Sequence, residues 1–282
     1  MKKIHIIGLG LLGGSFALAL KKSRPDWKLT GFDTNPHHLE TALQIGLIGE
    51  KRERPDNDTS LVVLATPVDS LYALLDQTLA QVGPDTLVMD FGSTKDQLCK
   101  QMATHPKRSQ YLAVHPIAGT ENSGPQAAEV ELFDGKVLIL CEMEKTDVQL
   151  KGLAYEIFEA LNMKLRFMDP VDHDLHLAFV SHLSHVSSFV LGKTVLDKTR
   201  DEKNIFDMAG SGFASTVRLA KSSPDMWAPI FFENKKNVLE ALDSYLEHLS
   251  HFRNLLAKGD TEGLHQEMTE ANKIRDILDL RD

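Results

Sequence analysis

Up to about residue 170 the chain alternates short apolar or β-branched runs with stretches whose apolar residues recur every three or four positions. The runs fall at residues 4–7, 28–32, 61–65, 86–90, 111–114, 137–140 and 164–167. Repeated strand–helix units of this kind predict a mostly parallel, doubly wound α/β sheet with helices on both faces. At Asp169–Pro170 the strand runs stop. Asp169 offers an N-cap and Pro170 a first-turn residue, and everything beyond reads as helix. The expected division is an α/β domain over residues 1–169 and an all-α domain over residues 170–282.

Within the helical part, residues 175–192 contain no Asp, Glu, Lys or Arg, a length that could span a membrane. The run also carries His176, His182, His185, Ser181, Ser184, Ser187 and Ser188, whose polar groups would be costly in lipid, so a helix buried in a large interface is expected instead. From Ser223–Pro224 a helical pattern runs to Lys258–Gly259, about 50 Å if continuous. Its apolar positions Trp227, Phe231, Val238, Leu242, Tyr245, Leu249, Phe252 and Leu256 need a partner surface. A two-fold homodimer formed by the helical domain is the expected way to cover them.

Charge narrows the possible partners. There are 31 Lys and Arg against 40 Asp and Glu, a net charge of −9 with no basic run, which argues against nucleic acid. The first strand starts just after Met1–Lys2–Lys3 with no apolar leader, so a cytoplasmic location with no preceding or following domain is expected. Cys99 and Cys141 form no CxxC pair and point neither to a disulfide scaffold nor to structural zinc.

The first candidate chemistry is Gly8-Leu9-Gly10-Leu11-Leu12-Gly13, lying between the first strand and an apolar helix. In such a turn the first glycine permits the bend, the second lets backbone approach a pyrophosphate, and the third lets helix and strand pack closely. Asp33 ends the second strand twenty residues after Gly13, where a carboxylate hydrogen-bonds an adenosine ribose and repels a 2′-phosphate. Thr34, Asn35 and Pro36 supply no arginine for that phosphate. The fingerprint therefore predicts a Rossmann-type domain binding NAD in preference to NADP.

A dehydrogenase needs a base, and histidine is the usual one near neutrality. His115 follows the fifth strand run, at the carboxyl edge where such sheets bind ligands, although a histidine beside proline is more often an ordinary loop residue. Arg218 is the only basic residue between Lys203 and Lys221, and a solitary arginine is more often a surface or capping group. His182 and His185, three apart, could pair on a metal with help from Asp172, His173, Asp174 and His176; buried, satisfied polar residues are the preferred reading, and no metal is expected.

GLGLLGGS at Gly8, ATPV at Ala65, DFGSTK at Asp90, HPIAGTE at His115, SHLSH at Ser181, GSGFASTVRLA at Gly210 and MWAPIFFEN at Met226 occur in the order found in prephenate and arogenate dehydrogenases. The chain resembles that family over nearly its whole length. The resemblance implies NAD-dependent oxidative decarboxylation of prephenate to 4-hydroxyphenylpyruvate in tyrosine biosynthesis, or of arogenate to tyrosine. It makes His115 the catalytic base, assisted by Ser93. It gives Arg218, His185, Thr120 and Glu121 to the substrate, and Gly8, Gly10, Leu11, Leu12, Gly13, Asp33 and Thr66 to the cofactor.

Relatives often carry an acid where Ser215 stands, a residue suited to the ammonium that distinguishes arogenate. Its absence favours prephenate. Two competing readings remain: another two-domain NAD(P) reductase, such as a β-hydroxyacid dehydrogenase or imine reductase, and a non-catalytic NAD-sensing protein. HPIAGTE speaks against the first. The joint presence of Ser93, His115 and Arg218 speaks against the second.

Overall fold

The structure is a computed structural model that describes residues 1–198 and 205–279. Eight strands form one sheet: β1 (Lys3–Ile7), β2 (Lys28–Phe32), β3 (Glu50–Lys51), β4 (Leu61–Leu64), β5 (Leu87–Asp90), β6 (Tyr111–Pro116), β7 (Val137–Cys141) and β8 (Lys164–Met168). Their order is β3-β2-β1-β4-β5-β6-β7-β8. All neighbours are parallel except β6 and β7. The reversal follows from the connection, since residues 117–136 contain only a single 3₁₀ turn, Pro125–Ala127, and no crossover helix.

Strands covered on both faces read as unbroken apolar runs, and Leu61–Leu64 is fully buried at every position. Alternate residues divide between two cores. Ile4, Ile6, Leu61, Val63, Leu87 and Met89 face α1 (Leu11–Ser23), α2 (Pro36–Gln44) and α5 (Val148–Ala160), where Phe16, Phe91 and Phe133 meet with centroids 5.3–6.5 Å apart. Ile7, Val62, Leu64, Val88 and Ala113 face α3 (Val68–Gln81) and α4 (Asp96–Met102). That second core also takes in Leu177 of α6 (Pro170–Leu177) and Trp227 and Ile230 of α9 (Pro224–Glu233).

Asp169 caps α6 as expected, its carboxylate accepting from the Val171 N–H at 2.8 Å. Beyond α6 come one π-type turn (Ala178–His182), α7 (Leu183–Lys198), α8 (Ser211–Thr216), a 3₁₀ turn (Arg218–Lys221) and α9. These belong with the sheet to one compact unit, Met1–Lys235. The second unit, Lys236–Asp282, holds most of α10 (Lys235–Lys258), then α11 (Thr261–Ala271) and α12 (Ile274–Asp279). Along α10, Leu239, Leu246, Leu249 and Leu256 are each about half exposed.

Three sequence expectations need correction. The single long helix from Ser223 is two, divided at Asn234, and Pro229 inside α9 has no N–H to give. Asn234 is buried and turns its side-chain amide onto the Asp174 carbonyl at 2.7 Å, so tertiary bonding outweighs helix continuation there. The uncharged run 175–192 is not one regular helix, because the π-type turn interrupts it. His115 lies inside a strand rather than after it, because the antiparallel partner extends β6 by pairing His115 with Ile139 and Pro116 with Leu138.

Candidate functional site

The carboxyl ends of β1, β2 and β4 open onto a cavity of about 630 Å³ lined by Gly8, Gly10, Asp33, Thr66 and Arg54, among others. It lies where the chain turns from one side of the sheet to the other, the crevice in which open α/β sheets hold ligands. The three glycines differ in their physical reasons. Gly8 has φ +92°, and a Cβ there would meet the Ala65 carbonyl oxygen at 2.4 Å; at Gly13 it would meet the Gly8 carbonyl oxygen at 1.9 Å. At Gly10 a Cβ would enter open space. Gly10 is also the N-cap of α1, where no side chain caps the helix, so the positive end of its dipole faces that space. Leu11 and Leu12 are half-buried in the first turn.

Asp33 is fixed from two sides. Its Oδ2 accepts from the Leu9 N–H and its Oδ1 from the Asn35 N–H, both at 2.8 Å, which orients the carboxylate between the glycine turn and the following loop. Thr66 accepts a hydrogen bond from Ser70 Oγ at 2.8 Å. Arg54 comes from the loop after β3, a two-residue, charged edge strand that periodicity does not reveal.

Further along the same edge, His115 is buried and its Nδ1 lies 2.9 Å from Nε2 of His173, which is fully buried. Nδ1 of His173 lies 2.7 Å from Oδ1 of Asp174. Asp174 also accepts backbone N–H bonds from Lys95 at 2.8 Å and Asp96 at 2.9 Å. A carboxylate so engaged acts only as acceptor, so His173 carries its proton on Nδ1 and its lone pair on Nε2. His115 must then donate from Nδ1, which leaves the lone pair on its own Nε2. Burial holds the proton affinity of His115 well below the ordinary histidine range, with His173, Lys95 and His182 adding to the effect. Burial also lowers His173, against the pull of Asp174. Ser93 is half-buried in the turn after β5, the strand parallel to β6.

Arg218 and Glu121 form a 3.2 Å ion pair at the partly exposed side of this region. The Glu121 carboxyl is held below its usual range by a hydrogen bond from its own backbone and then by Arg218. Thr120 is half-buried beside it, its Oγ1 accepting from the Asn122 N–H. Ser188 ties the Arg218 turn to α7, donating to the Thr216 carbonyl and accepting from the Ala220 N–H, both at 3.0 Å. His185 stacks on Trp227 at 3.5 Å, its Nδ1 3.0 Å from the Ser181 carbonyl, and burial lowers its basicity. His182 lies edge-on to Trp227 at 5.8 Å with Nδ1 beside the Asn234 amide, so neither Nδ1 is directed to a shared metal. Since the charge of His182 bears on His115, the two groups of residues form one neighbourhood.

Sequence reasoning missed His173, Asp174, Lys95 and Arg54 as parts of the site. A histidine followed directly by an acid, one turn into a helix, was the available signal for the first two.

The family model described as prephenate dehydrogenase, nucleotide-binding domain, matches residues 16–167, and that described as prephenate dehydrogenase, dimerization domain, matches residues 169–270. Prephenate dehydrogenase of Bacillus subtilis (strain 168) is 31% identical over 99% of this chain and 76% of its own length. Among solved structures, prephenate dehydrogenase from A. aeolicus in complex with hydroxyphenyl propionate and NAD+ superposes with a TM-score of 0.89 at 32% identity, covering 99% of this chain and 98% of that one. Synechocystis arogenate dehydrogenase gives a TM-score of 0.74 at 27% identity, covering 98% and 99%.

Proposed function

Since the chain belongs to the prephenate dehydrogenase family, we propose that it is an NAD-dependent oxidoreductase converting prephenate to 4-hydroxyphenylpyruvate and carbon dioxide. The observation that carries the reading is the His115–His173–Asp174 chain, which leaves a buried histidine with a free lone pair on the sheet edge that also bears the dinucleotide cavity.

The residues present fit NAD. The open space at Gly10 admits a pyrophosphate at the uncapped start of α1, and the oriented Asp33 carboxylate can accept from a ribose hydroxyl while opposing a 2′-phosphate. Gly8, Gly13, Leu11, Leu12 and Thr66 complete that pocket. Bound there, the nicotinamide supplies the acceptor for the hydride that leaves C4 of the substrate ring.

His115 Nε2 accepts the proton of the 4-hydroxyl as the hydride departs, and Ser93 holds the same oxygen by hydrogen bonding. The ring carboxylate then leaves as carbon dioxide, its bonding electrons complete the aromatic ring and place the charge on the C4 oxygen, and that phenolate takes the proton back from His115 to become the phenol. Aromatisation drives the step, so the protein's task is chiefly alignment and a base poised to accept. The charge that arrives on His115 is shared through Nδ1–H with His173 and Asp174. Arg218 binds a substrate carboxylate, with Glu121, Thr120 and His185 shaping the space around it.

Prephenate is favoured over arogenate because Ser215 offers no charge to an ammonium and Glu121 is already paired with Arg218. The helical part is proposed as residues 170–282, contributing substrate contacts and a homodimer interface. Half-exposed Leu239, Leu246, Leu249 and Leu256 on α10 support the dimer, as does the dimerization-domain match. Pro170–Lys198 is long and apolar enough to cross a membrane by length and composition alone, but the histidines and serines throughout it would be costly in lipid, which supports a soluble cytoplasmic protein. The acidic chain speaks against a nucleic-acid partner. The test is NADH formation by the purified protein, comparing kcat/KM for prephenate and arogenate. Absence of turnover with both overturns the activity, and a preference for arogenate overturns the substrate choice.

A further inference from the structure

Beneath His115 lies a charged group that the reaction above does not use. Lys95, Asp90 and Tyr111 are all fully buried. The Lys95 ammonium sits on Asp90 Oδ1, which also accepts from the Gly92 N–H at 2.9 Å, and Asp90 Oδ2 accepts from the Tyr111 hydroxyl at 2.6 Å. At its other end, the Lys95 backbone N–H donates to Asp174. One residue is thus tied through its side chain to the end of β5 and through its main chain to the last member of the histidine chain. The turn between those ties carries Ser93. Gly92 leaves no room for slack, since a Cβ there would lie 2.6 Å from Leu71 and 2.9 Å from Asp90 Oδ1.

A buried ion pair adds little net stability compared with apolar residues of similar volume, so burying one here calls for another use. We propose that Lys95, braced by Asp90 and Tyr111, is a positioning residue that fixes the Ser93 turn against the His115–His173–Asp174 chain and keeps His115 neutral until substrate delivers its proton. This rests on His115 being the base.

Charge counting gives the reason. The fixed charges facing the histidines are the Lys95 cation and the Asp90 and Asp174 carboxylates. Asp96, from the same turn, is drawn outward to Lys100 at 2.7 Å. Tyr111, Cys99 and Cys141 are pushed upward by burial and stay neutral, and His182 is lowered to about 4 by the same cause. The cluster is therefore one negative charge in excess with His115 neutral, and balanced once His115 has taken a proton. Without Lys95 only burial, His173 and His182 would oppose protonation of His115, so the base would be lost to a proton at higher pH than in the wild type. Without Asp90 the coupled pair would lose a carboxylate that favours protonation of His173. Lys95 acts on His115 in the required direction.

The experiment is the pH dependence of kcat/KM and kcat for NADH formation from prephenate in the wild type, Lys95→Met, Asp90→Asn and the double variant, with circular dichroism to confirm folding. Lys95→Met should move the acid limb upward by about one pH unit or more, and Asp90→Asn should move it downward. The double variant, which keeps the charge count, should return the limb towards wild type. Its kcat should stay about 10- to 100-fold low with little change in KM, because the turn has lost its brace. Limbs that do not separate between the single variants overturn the proposal. If a single variant does not fold, the double variant decides, and wild-type kcat in it refutes the brace. An inactive wild type would instead refute the functional reading.

Discussion

Replacing Asp174 by Asn tests the histidine chain with minimal change of shape. The wild-type carboxylate accepts three hydrogen bonds, from His173 Nδ1 at 2.7 Å and from the backbone N–H groups of Lys95 at 2.8 Å and Asp96 at 2.9 Å. An amide has one acceptor oxygen, so in either orientation its NH₂ faces at least one of these donors. The His115–His173 pair, which takes up the proton during turnover, also loses the anion bonded to His173. Charge-assisted bonds contribute about 1.5–3 kcal/mol against about 1 for neutral ones, so losing the charge and one acceptor costs about 2–4 kcal/mol. At 1.36 kcal/mol per decade, kcat should fall roughly 30- to 1,000-fold. The pH profile should shift as well. Asp174 raises the proton affinity of His173, so its loss makes the coupled pair harder to protonate and moves the acid limb to lower pH. The assay is steady-state NADH formation across pH, alongside NAD affinity from tryptophan fluorescence, which should be unchanged. Activity within about threefold of wild type, or an acid limb moved upward, would refute the tautomer argument.

Four other outcomes are expected. His115→Ala should lower turnover by about 10²- to 10⁴-fold with NAD affinity intact, and retention of more than half the activity would exclude it as the base. Asp33→Ser with Thr34→Arg should raise the NADP-to-NAD ratio of kcat/KM, helped by Arg54 in the same cavity; a wild type that already prefers NADP contradicts the role given to Asp33. Buried His5 and His182 are both lowered to about 4 by burial, so the unfolded chain binds their protons first. Their contribution to stability is complete above about 6.5 and is lost as pH falls towards 4, by up to about 3 kcal/mol each, and a urea midpoint that stays flat over that interval would contradict this. Light scattering should give a mass near twice 31.4 kDa, and Leu249→Glu should lower it towards the single chain; a monomeric wild type rules out the dimer.

Most of the sheet was legible because strands buried on both faces are uninterrupted apolar runs, as at Leu61–Leu64. β3 was not, because two exposed charged residues at an edge leave no pattern. The break at Asn234 and the π-type turn that holds His182 depend on buried partners distant in sequence, which local periodicity does not encode. The glycine turn and Asp33 could be read because their chemistry is contiguous with the strands that carry them. His115 needed its surrounding motif to stand out. Its orienting residues could be read only as a metal candidate or as buried polar groups, since the 58 residues separating His115 from His173 are closed only by the fold. Arg54 was overlooked for the same reason, as it joins Asp33 in lining the cavity from a loop beyond the next strand.

The glycine turn also separates two kinds of damage that are usually confounded. At Gly8 and Gly13 any side chain collides with main-chain oxygen, so substitution there should harm the apo-protein itself. At Gly10 the added atoms meet nothing, and the empty fold should tolerate them. A variant library sorted only by expression or melting temperature would therefore accept Gly10 replacements that can no longer admit a pyrophosphate, and would discard changes at the neighbouring glycines before their binding was ever measured. Gly10 is a position where selection for a ligand leaves no trace in the stability of the chain that selection preserved.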